Sequence, residues 1–513
     1  MELKVFKDIV AAYGGRWETR LELPVETELL IPDYLPAVFK IVKCLVEPVL
    51  LQNHTAAAAK WQGEGYLRCT VYYQSDEAGA QLYRIEQKFP FEKTADLPEG
   101  RYETGPAAVS GELEYVNCRA ISEHRIDLRG AYALCVAVQM VDQLELVTLL
   151  ADCGIEQRTR VLNGRACAAV EEKTFTAESR IPLPAGDAVV LDISGVFLPE
   201  AATVLTGQVN CQGTLRIQAA FRPAGVEEIT ARQVELPVRQ TLDLAAAAEG
   251  DECLFWGEVL GSTLEAGDGD PTLTVTWKLH AELWRDVQYT AVADAYSTLC
   301  QTETDAAPCR LLTDAGPLPA AVQAEISDDL PDPDAEVIGC FVTLGALAAM
   351  PGEQEHTVVF AGKGTAHVLC ADPRGELTCY DKAFVWQLPQ SWPGTPADYC
   401  LRAHGAVGKV TSAKAGGRLR VEVEVNVNGR LFAVQASPAL REVTLGEEFA
   451  DKADGPALYL YYASQGERIF DIAKRYHARA RDLAAANHLE PEPGVAVQEM
   501  TTEKACLLIP AAL

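Results

Sequence analysis

The feature that most constrains the fold is a pattern that returns about every 150 residues. Three segments, "WQGEGYLRCTVYY", "QVNCQGTLRIQAAF" and "FAGKGTAHVLCAD", align on Gly65, Gly213 and Gly364. Each segment is followed later in the chain by an apolar residue and a proline. These prolines, Pro90, Pro237 and Pro389, lie 25, 24 and 25 residues after the three glycines. Self-similarity at a fixed period is typical of consecutive related units. The sequence therefore predicts three successive repeats of one fold.

Each repeat is rich in the alternation that is typical of antiparallel strands. In "RLRVEVEVNV", residues 418–427, apolar and polar residues alternate strictly. This period of two places one face on a core and the other in water. Short runs of this kind, separated by glycine-rich and proline-rich turns, are typical of β-sandwiches. We therefore expect a mostly β fold of three antiparallel β-sandwich-like units, with the three aligned glycines at bulges or close backbone contacts.

The repeat period also places the expected domain boundaries. Two turn-rich segments, 301–323 and 447–456, are expected to be linkers because they combine proline, glycine and acidic residues. The predicted units are β repeat 1 over 1–148, β repeat 2 over 149–298, β repeat 3 over 299–450 and a terminal module over 456–513.

The last 55 or so residues follow a different pattern from the repeats. Ile469, Ile472, Ala473 and Tyr476 are spaced as one face of a helix, and a second short helix is expected over 480–487. Apolar strands are expected before and after these helices, in "ALYLYYA" and "CLLIP". The predicted order is strand, helix, helix, strand, in a unit small enough that both helices must cover the sheet.

This terminal module resembles the LysM family, which is best known for binding cell-wall glycans. The family pattern begins with a glycine-led loop and a helix, which "GERIFDIAKRY" matches. It continues with L-x-x-x-N-x-L, matched by "LAAANHL", and closes with L-x-I-P, matched by "LLIP". The resemblance implies that two loops, one at each end of the helical pair, bind the ligand. The residues expected to contact a partner or a glycan are Gly466, Glu467, Arg468, Ile469, Phe470, Asn487, His488 and Leu489.

Two departures from the LysM pattern favour a protein ligand over a glycan. Glu467 and Arg468 stand where the family has a short aspartate–threonine pair, and the loop after the second helix is long. The helical stretch also carries more lysine and arginine than acid. We expect Phe470, at an exposed edge of the first helix, to be an apolar anchor for a protein partner.

The repeats resemble the SPOCS domain, most clearly in "IPDYLPAVFKIV", "GEGYLRCTVYY" and "KFPFEKTADLPEG" of the first unit. The stretch "AVADAYSTL", residues 291–299, is similar to the same family. SPOCS repeats followed by one LysM module form the architecture of the SipL-like family of spore coat morphogenesis proteins. This resemblance implies sporulation, location in the mother-cell cytoplasm at the forespore surface or spore coat, and a LysM module that binds the scaffold ATPase of the coat.

Three functions are compatible with these patterns. The first is a non-enzymatic structural adaptor in spore coat assembly, whose terminal module docks onto a protein scaffold. The second is a peptidoglycan-binding or cortex-binding protein, with a glycan containing GlcNAc in the LysM groove. The third, and the weakest, is a baseplate component of a phage-tail-like particle, since such proteins also join β domains to a LysM module.

Composition narrows the choice of partners. The chain has 73 acidic and 44 basic side chains, a net charge of −29, so it repels nucleic acid and anionic lipid. It has no run of about 18 apolar residues, and its first residues lack the apolar core of a secretion signal. The 15 cysteines form no CxxC pair, which favours reduced thiols in a cytoplasmic protein. We expect no membrane insertion.

The motifs of catalysis and metal binding are missing from the sequence. There is no phosphate-binding P-loop, no HExxH and no GxSxG. The eight histidines are scattered, and no two have the spacing of metal ligands on one element. We therefore predict a protein that is not an enzyme and uses no cofactor or metal.

Overall fold

The structure is a computed structural model, and it describes residues 2–56, 60–75, 81–98, 102–182, 188–223, 229–267, 269–415, 418–449, 458–491, 495–503 and 506–510. Strands account for 78% of the structure and helices for 4%, which confirms a mostly β fold of antiparallel sheets.

The first six strands form two three-stranded antiparallel sheets. The first and last strands pair along nearly their whole length, from Lys4 opposite Ala151 to Leu30 opposite Arg125. The sheet orders are β1–β6–β5 and β2–β3–β4, and a core of buried residues such as Leu67 and Leu128 lies between the two sheets. The strands are β1 (Lys4–Leu30), β2 (Val38–Ala56), β3 (Lys60–Ser75), β4 (Leu82–Asp96), β5 (Tyr102–Ser122) and β6 (Arg125–Ala151).

Of the next six strands, three belong to a larger sheet and three form a sheet of their own. Strand β7 pairs with β12 and β12 with β11, while β8, β9 and β10 form a separate meander. Their core includes Leu215, Ile217 and Trp277, all nearly inaccessible to solvent. The strands are β7 (Ile155–Arg180), β8 (Ala188–Leu205), β9 (Gln208–Pro223), β10 (Thr230–Asp243), β11 (Glu252–Gly267) and β12 (Gly269–Ser297).

The strands from β13 to β21 divide between that larger sheet and a five-stranded sheet. Strand β21 pairs with β13, β14 and β20, and a second sheet is built around β17. The alternating run predicted over 418–427 lies in β21, and its apolar residues Leu419, Val421, Val423 and Val425 are fully buried. The strands are β13 (Cys300–Pro317), β14 (Ala321–Asp329), β15 (Glu336–Leu344), β16 (Ala348–Pro351), β17 (Thr357–Ala371), β18 (Leu377–Gln387), β19 (Trp392–Pro393), β20 (Tyr399–Ala415) and β21 (Arg418–Glu448).

The chain ends in a small module with two short helices. Strand β22 pairs with β25, and β23 pairs with β24. The elements are β22 (Leu458–Tyr461), β23 (Glu467–Arg468), α1 (Ile469–Arg475), α2 (Ala480–Ala486), β24 (Thr501–Thr502) and β25 (Leu507–Pro510).

The three long antiparallel ribbons β1–β6, β7–β12 and β13–β21 pack against one another. One cluster of buried residues draws Val10 and Leu146 from the first ribbon, Leu162 and Ala291 from the second, and Ala439 from the third. A neighbouring cluster is also built from all three ribbons. Burial of apolar side chains therefore joins the ribbons into one stalk. We use "stalk" below for these six paired strands where the ribbons meet.

Two details of the predicted organisation differ in the structure. The expected boundary at 148/149 falls inside β6, and the chain reverses instead at Asp152, Cys153 and Gly154, which all have positive φ. The expected linker 301–323 is wrong over most of its length, because residues 300–317 form β13 and pair with β21. Most of the other expected linker, from residue 450 onward, lies outside the described residues.

The aligned glycines lie at close contacts, as the sequence predicts. A Cβ atom on Gly65 would lie 2.1 Å from the carbonyl oxygen of Val49, and one on Gly213 would lie 2.5 Å from that of Leu198. The partner strand is irregular opposite both glycines. A Cβ on Gly364 would meet the ring of Phe384 at 2.4 Å. At Gly65 and Gly213 only glycine fits without displacement of the neighbouring backbone, whereas at Gly364 a side chain would displace the Phe384 ring.

Candidate functional site

The terminal module has a compact core between its helices and the β22–β25 sheet. Ile469, Ile472, Leu483, Leu507 and Ile509 have no exposed surface. The apolar spacing that predicts the first helix thus corresponds to the buried side of α1. Ile469, one of the expected ligand contacts, is a core residue.

The loop before α1 is held by contacts inside the module. Gly466 has a φ of +79°, a conformation that favours glycine, and its N–H donates to the carbonyl of Thr502 at 3.0 Å. The carboxylate of Glu467 accepts hydrogen bonds from the Tyr461 hydroxyl at 2.8 Å and from Arg475 at 3.1 Å. Burial alone raises the pKa of Glu467, but these bonds outweigh it, and the pKa lies below its usual value.

The two loops that flank the expected ligand groove are bonded to each other. In the β23–β24 ladder, Glu467 lies opposite Thr502 and Arg468 opposite Thr501. The N–H of Ile469 then donates to the carbonyl of Met500 at 2.9 Å. With the Gly466 bond, these contacts join the first loop to the second along its length. A ligand entering between the loops has to compete with this ladder.

The second predicted cluster, Asn487 to Leu489, is mainly structural. The side-chain amide of Asn487 donates to the carbonyls of Leu483 at 2.8 Å and Leu508 at 2.7 Å, and its oxygen accepts from the Leu508 N–H at 2.7 Å. Asn487 therefore fastens α2 to β25. His488 is exposed with a φ of +53°, and Leu489 packs against the module core. Of these three residues, Asn487 is buried, Leu489 is half-buried and His488 is exposed.

The prediction that Phe470 is exposed is wrong. Its side chain has no exposed surface, and its ring meets that of Tyr296 edge-on with centroids 5.1 Å apart. The guanidinium of Arg158 lies 5.5 Å from the Phe470 ring centroid. Phe470 thus anchors α1 to the stalk, and the helical face expected to meet a partner is occupied by the protein itself.

Further contacts fix the module on the stalk. Lys474 forms an ion pair with Asp294 at 2.6 Å, and Asp471 lies 3.8 Å from Arg158. The hydroxyl of Tyr296 donates to the carbonyl of Ala478 at 2.7 Å and is buried. These contacts, with the Phe470 ring, define what we call the module seat.

Sequence reasoning missed the stalk side of the module seat. Asp294 and Tyr296 lie in "AVADAYSTL", the stretch similar to SPOCS domains, but they meet residues about 180 positions later in the chain. No local pattern connects positions so distant. Burial raises the pKa of the neighbouring Glu156, whose carboxylate faces the backbone of Ala480.

A second polar cluster lies where β12 meets β20. Glu282 has no exposed surface, and Arg402 of β20 is its ion-pair partner. His280 makes hydrogen bonds to Glu172 at 2.9 Å and to Glu282 at 3.0 Å. Lys278, nearby, donates to the backbone carbonyl of Leu50 at 2.9 Å. We call this set the β12–β20 junction.

The acid–base state of this junction follows from its contacts. Burial raises the pKa of Glu282, but Arg402 and His280 more than offset this and lower it to about 2. Burial lowers the pKa of His280, yet its two carboxylate partners outweigh burial and raise it. Both ring nitrogens can donate to carboxylates only in the protonated ring. His280 is therefore held as a cation away from solvent, in an arrangement suited to structure.

Within the described ranges, no group of three or more histidine, cysteine, aspartate or glutamate side chains could hold a metal ion. No helix in the same ranges is long and apolar enough to cross a membrane. The fifteen cysteines all carry free thiols.

Comparison with protein-family models, with curated proteins and with solved structures finds no match to this chain.

Proposed function

We propose that this protein is a non-enzymatic adaptor in spore coat assembly, whose terminal LysM-like module docks onto a protein scaffold. In this proposal, the three ribbons with their partner sheets are three SPOCS-like repeats, and the two-helix unit is the LysM-like module. The observation that carries the proposal is the ladder between the two loops of the module. It favours a protein ligand because a glycan needs the groove between those loops.

The module seat supports an adaptor for a second reason. Aromatic packing, a buried hydroxyl bond and two ion pairs hold the module against the stalk. A binding module fixed in this way presents the partner at a set position relative to the β units, and preorganisation lowers the entropic cost of binding. A glycan-binding module on a flexible tether does not need a fixed position relative to the β units.

The family resemblance supplies the identity of the proposed partner. SipL-like proteins work in the mother cell at the forespore surface, and their LysM module binds the ATPase that scaffolds the coat. We propose the same location and the same class of partner here. The net charge of −29 suits a protein partner better than nucleic acid or an anionic membrane.

Calorimetric titration of the full chain with the purified scaffold ATPase tests this proposal. We expect saturable binding that is lost in Leu483→Asp, which places a charge in the buried module core. Asp482→Asn is the matched control, since Asp482 is exposed on the same helix, and it should bind like the wild type.

Titration of the same protein with chitin oligomers tests the glycan alternative. Absent or millimolar binding to the oligomers, with binding to the scaffold, is the expected result. Micromolar affinity for chitin oligomers without affinity for the scaffold overturns the proposal. A position of the gene among phage tail genes instead of sporulation genes favours the baseplate alternative.

A further inference from the structure

Two thiols of the first unit meet between its two sheets. Cys44 lies in β2 and Cys118 in β5, which are outer strands of separate sheets, β2–β3–β4 and β1–β6–β5. The two strands approach each other with Cα atoms within 8 Å. The thiol of Cys44 donates a hydrogen bond to the sulfur of Cys118. The pair therefore lies where one sheet meets the other.

The two thiols differ in exposure and in acidity. Cys44 is 5% exposed and belongs to the apolar core, whereas Cys118 is half-buried and packs against that core. The hydrogen bond from Cys44 lowers the pKa of Cys118, and it outweighs burial and the Asp127 carboxylate, which both raise that pKa. The same hydrogen bond and burial raise the pKa of Cys44. Cys118 is thus the more accessible thiol and the one that favours the thiolate.

A partly accessible thiolate beside a second, protonated thiol is the arrangement typical of redox-active cysteines. The thiolate attacks an incoming disulfide, and the neighbouring thiol then displaces the oxidant from the mixed disulfide. A buried thiol without such a neighbour is inert, because the oxidant does not reach it. The contact assigns the attacking role to Cys118 and the resolving role to Cys44.

We propose that Cys118 and Cys44 form a reversible disulfide when they meet a small-molecule disulfide such as oxidised glutathione. The Cys118 thiolate attacks one sulfur of the oxidant, and one glutathione leaves as a thiolate. Cys44 then loses its proton and attacks the Cys118 sulfur of the mixed disulfide, which releases the second glutathione. The protons of the two cysteines go to the two released glutathione molecules. Two protein thiols are thereby oxidised and one disulfide is reduced.

The new bond would fasten the two sheets of the first unit on the side where β2 meets β5. It closes a loop over residues 44–118, about 75 residues. A cross-link over such a loop stabilises a folded protein by restricting the unfolded chain. We therefore expect oxidation to raise the urea denaturation midpoint of the full chain and to slow hydrogen exchange in β2 and β5. This site does not depend on the adaptor function.

The second unit contains a thiol pair for comparison. Cys253 of β11 donates a hydrogen bond to Cys211 of β9, and these strands also belong to separate sheets. Here the hydrogen bond lowers the pKa of Cys211, which is 2% exposed, so the better nucleophile is hidden from the oxidant. We expect the Cys211–Cys253 disulfide to form about tenfold more slowly than the Cys44–Cys118 disulfide.

Treatment of the reduced full chain with oxidised glutathione, without denaturant and near neutral pH, tests the site. Remaining thiols are blocked with iodoacetamide after increasing times, and mass spectrometry of unreduced peptides identifies the cysteines that are joined. We expect the peptides that contain Cys44 and Cys118 to be the first linked pair, and dithiothreitol to separate them. The oxidised protein should denature at a higher urea concentration than the reduced protein.

Variants separate the roles of the two thiols. Cys69→Ala removes another buried thiol of the same core, and it is the matched control that should still form the Cys44–Cys118 link. Cys44→Ala, made in that background, should stop at a glutathione adduct on Cys118, because the resolving thiol is missing. Cys118→Ala should give neither the adduct nor the link. Circular dichroism checks that each variant is folded.

Three results overturn the inference. One is the absence of the Cys44–Cys118 link in the folded protein, with the link forming only in urea. Another is a first link that joins Cys118 to Cys69, or Cys211 to Cys253. The third is a Cys44–Cys118 link that leaves the denaturation midpoint unchanged. All three are measured on the wild type, so the outcome does not depend on the folding of a variant.

Discussion

Strand β12 takes part in two junctions that are built from similar chemistry but differ in burial. At the β12–β20 junction, the paired side chains of Arg402 and Glu282 are 7% and 0% exposed. At the module seat, twelve residues further along β12, the paired side chains of Lys474 and Asp294 are 40% and 22% exposed. Each junction adds an aromatic contact, between Trp284 and Phe432 in the first and between Tyr296 and Phe470 in the second.

This difference in burial predicts that the β12–β20 junction stays closed in the folded protein, whereas the ion pairs of the module seat can open. A buried charge that loses its partner is costly, because nothing replaces the lost solvation. An exposed ion pair exchanges its partner for water at little cost. We therefore expect the β units to come apart only on unfolding, whereas the ion pairs of the module seat can open and close in the folded protein.

The largest expected effect is at the buried junction. Arg402→Leu leaves the Glu282 carboxylate buried with His280 as its remaining charged partner, and should destabilise the protein by about 3–5 kcal/mol. The shift of the urea denaturation midpoint, followed by circular dichroism, measures this loss.

The double variant Arg402→Leu/Glu282→Leu is the control for that effect. It removes both charges, so it should recover part of the loss. A single variant as stable as the wild type would show that the pair is not a critical contact.

The next effect concerns the module seat. Phe470→Ala removes a fully buried ring that packs on Tyr296, and should cost about 3 kcal/mol of local stability. Faster hydrogen exchange of the α1 amides is the readout. Tyr462→Ala, which truncates an exposed ring of the same module, should leave that exchange unchanged. Equal exchange in both variants contradicts the buried position of Phe470.

The pH dependence of stability should be set in part by His404, beside the buried junction. Burial, with Lys278 and His280 nearby, lowers the pKa of His404 from 6.5 to about 4. Between these values the unfolded chain takes up a proton that the folded chain does not, so stability falls as the pH falls from 6.5 to 4. The loss is roughly 1.4 kcal/mol per pH unit.

His404→Gln should remove this contribution. The stability difference between the wild type and the variant, from urea midpoints at several pH values, should therefore change steadily between pH 6.5 and about 4. Titrating groups that do not interact with His404 cancel in that difference. A difference that does not vary with pH means that His404 titrates alike in the folded and unfolded chain.

The smallest expected effect is the loss of the half-buried Lys474–Asp294 ion pair of the module seat. A double-mutant cycle of Lys474→Ala and Asp294→Ala should give a coupling of about 0.5 kcal/mol, which falls at high salt. Hydrogen exchange in the turn between α1 and α2 provides the free energies. A coupling free energy of about 2 kcal/mol or more that does not change with salt would mean that this ion pair behaves like the buried pair of the β12–β20 junction.

Local sequence patterns predicted individual strands and helices better than they predicted the contacts between distant elements. The strict alternation over 418–427 identified the buried face of β21, and the spacing of Ile469, Ile472 and Ala473 identified the buried side of α1. Both are properties of a single element, since side-chain direction follows from its period. Phe470 lies next to that face, and its burial depends on Tyr296, 174 positions earlier.

The error at β13 has the same origin. Its proline, alanine and aspartate residues are typical of a linker, and Pro308 cannot donate a backbone hydrogen bond. The segment is nevertheless a strand, because β21 pairs along it and Cys309 and Leu312 are buried in shared cores. Packing between distant segments outweighs local preference here.

The pairing of β1 with β6 also has a consequence during synthesis. Residues 4–30 of β1 pair with residues 125–151 of β6, so about 95 further residues are made after the end of β1 before its partner strand begins. At 5–20 residues per second this takes about 5–19 s. Until then the apolar residues Leu23, Val25 and Leu29 lack the strand that lies beside them in the core. The nascent chain therefore depends on its own acidic residues, or on a chaperone, to stay soluble until the last strand of the unit arrives.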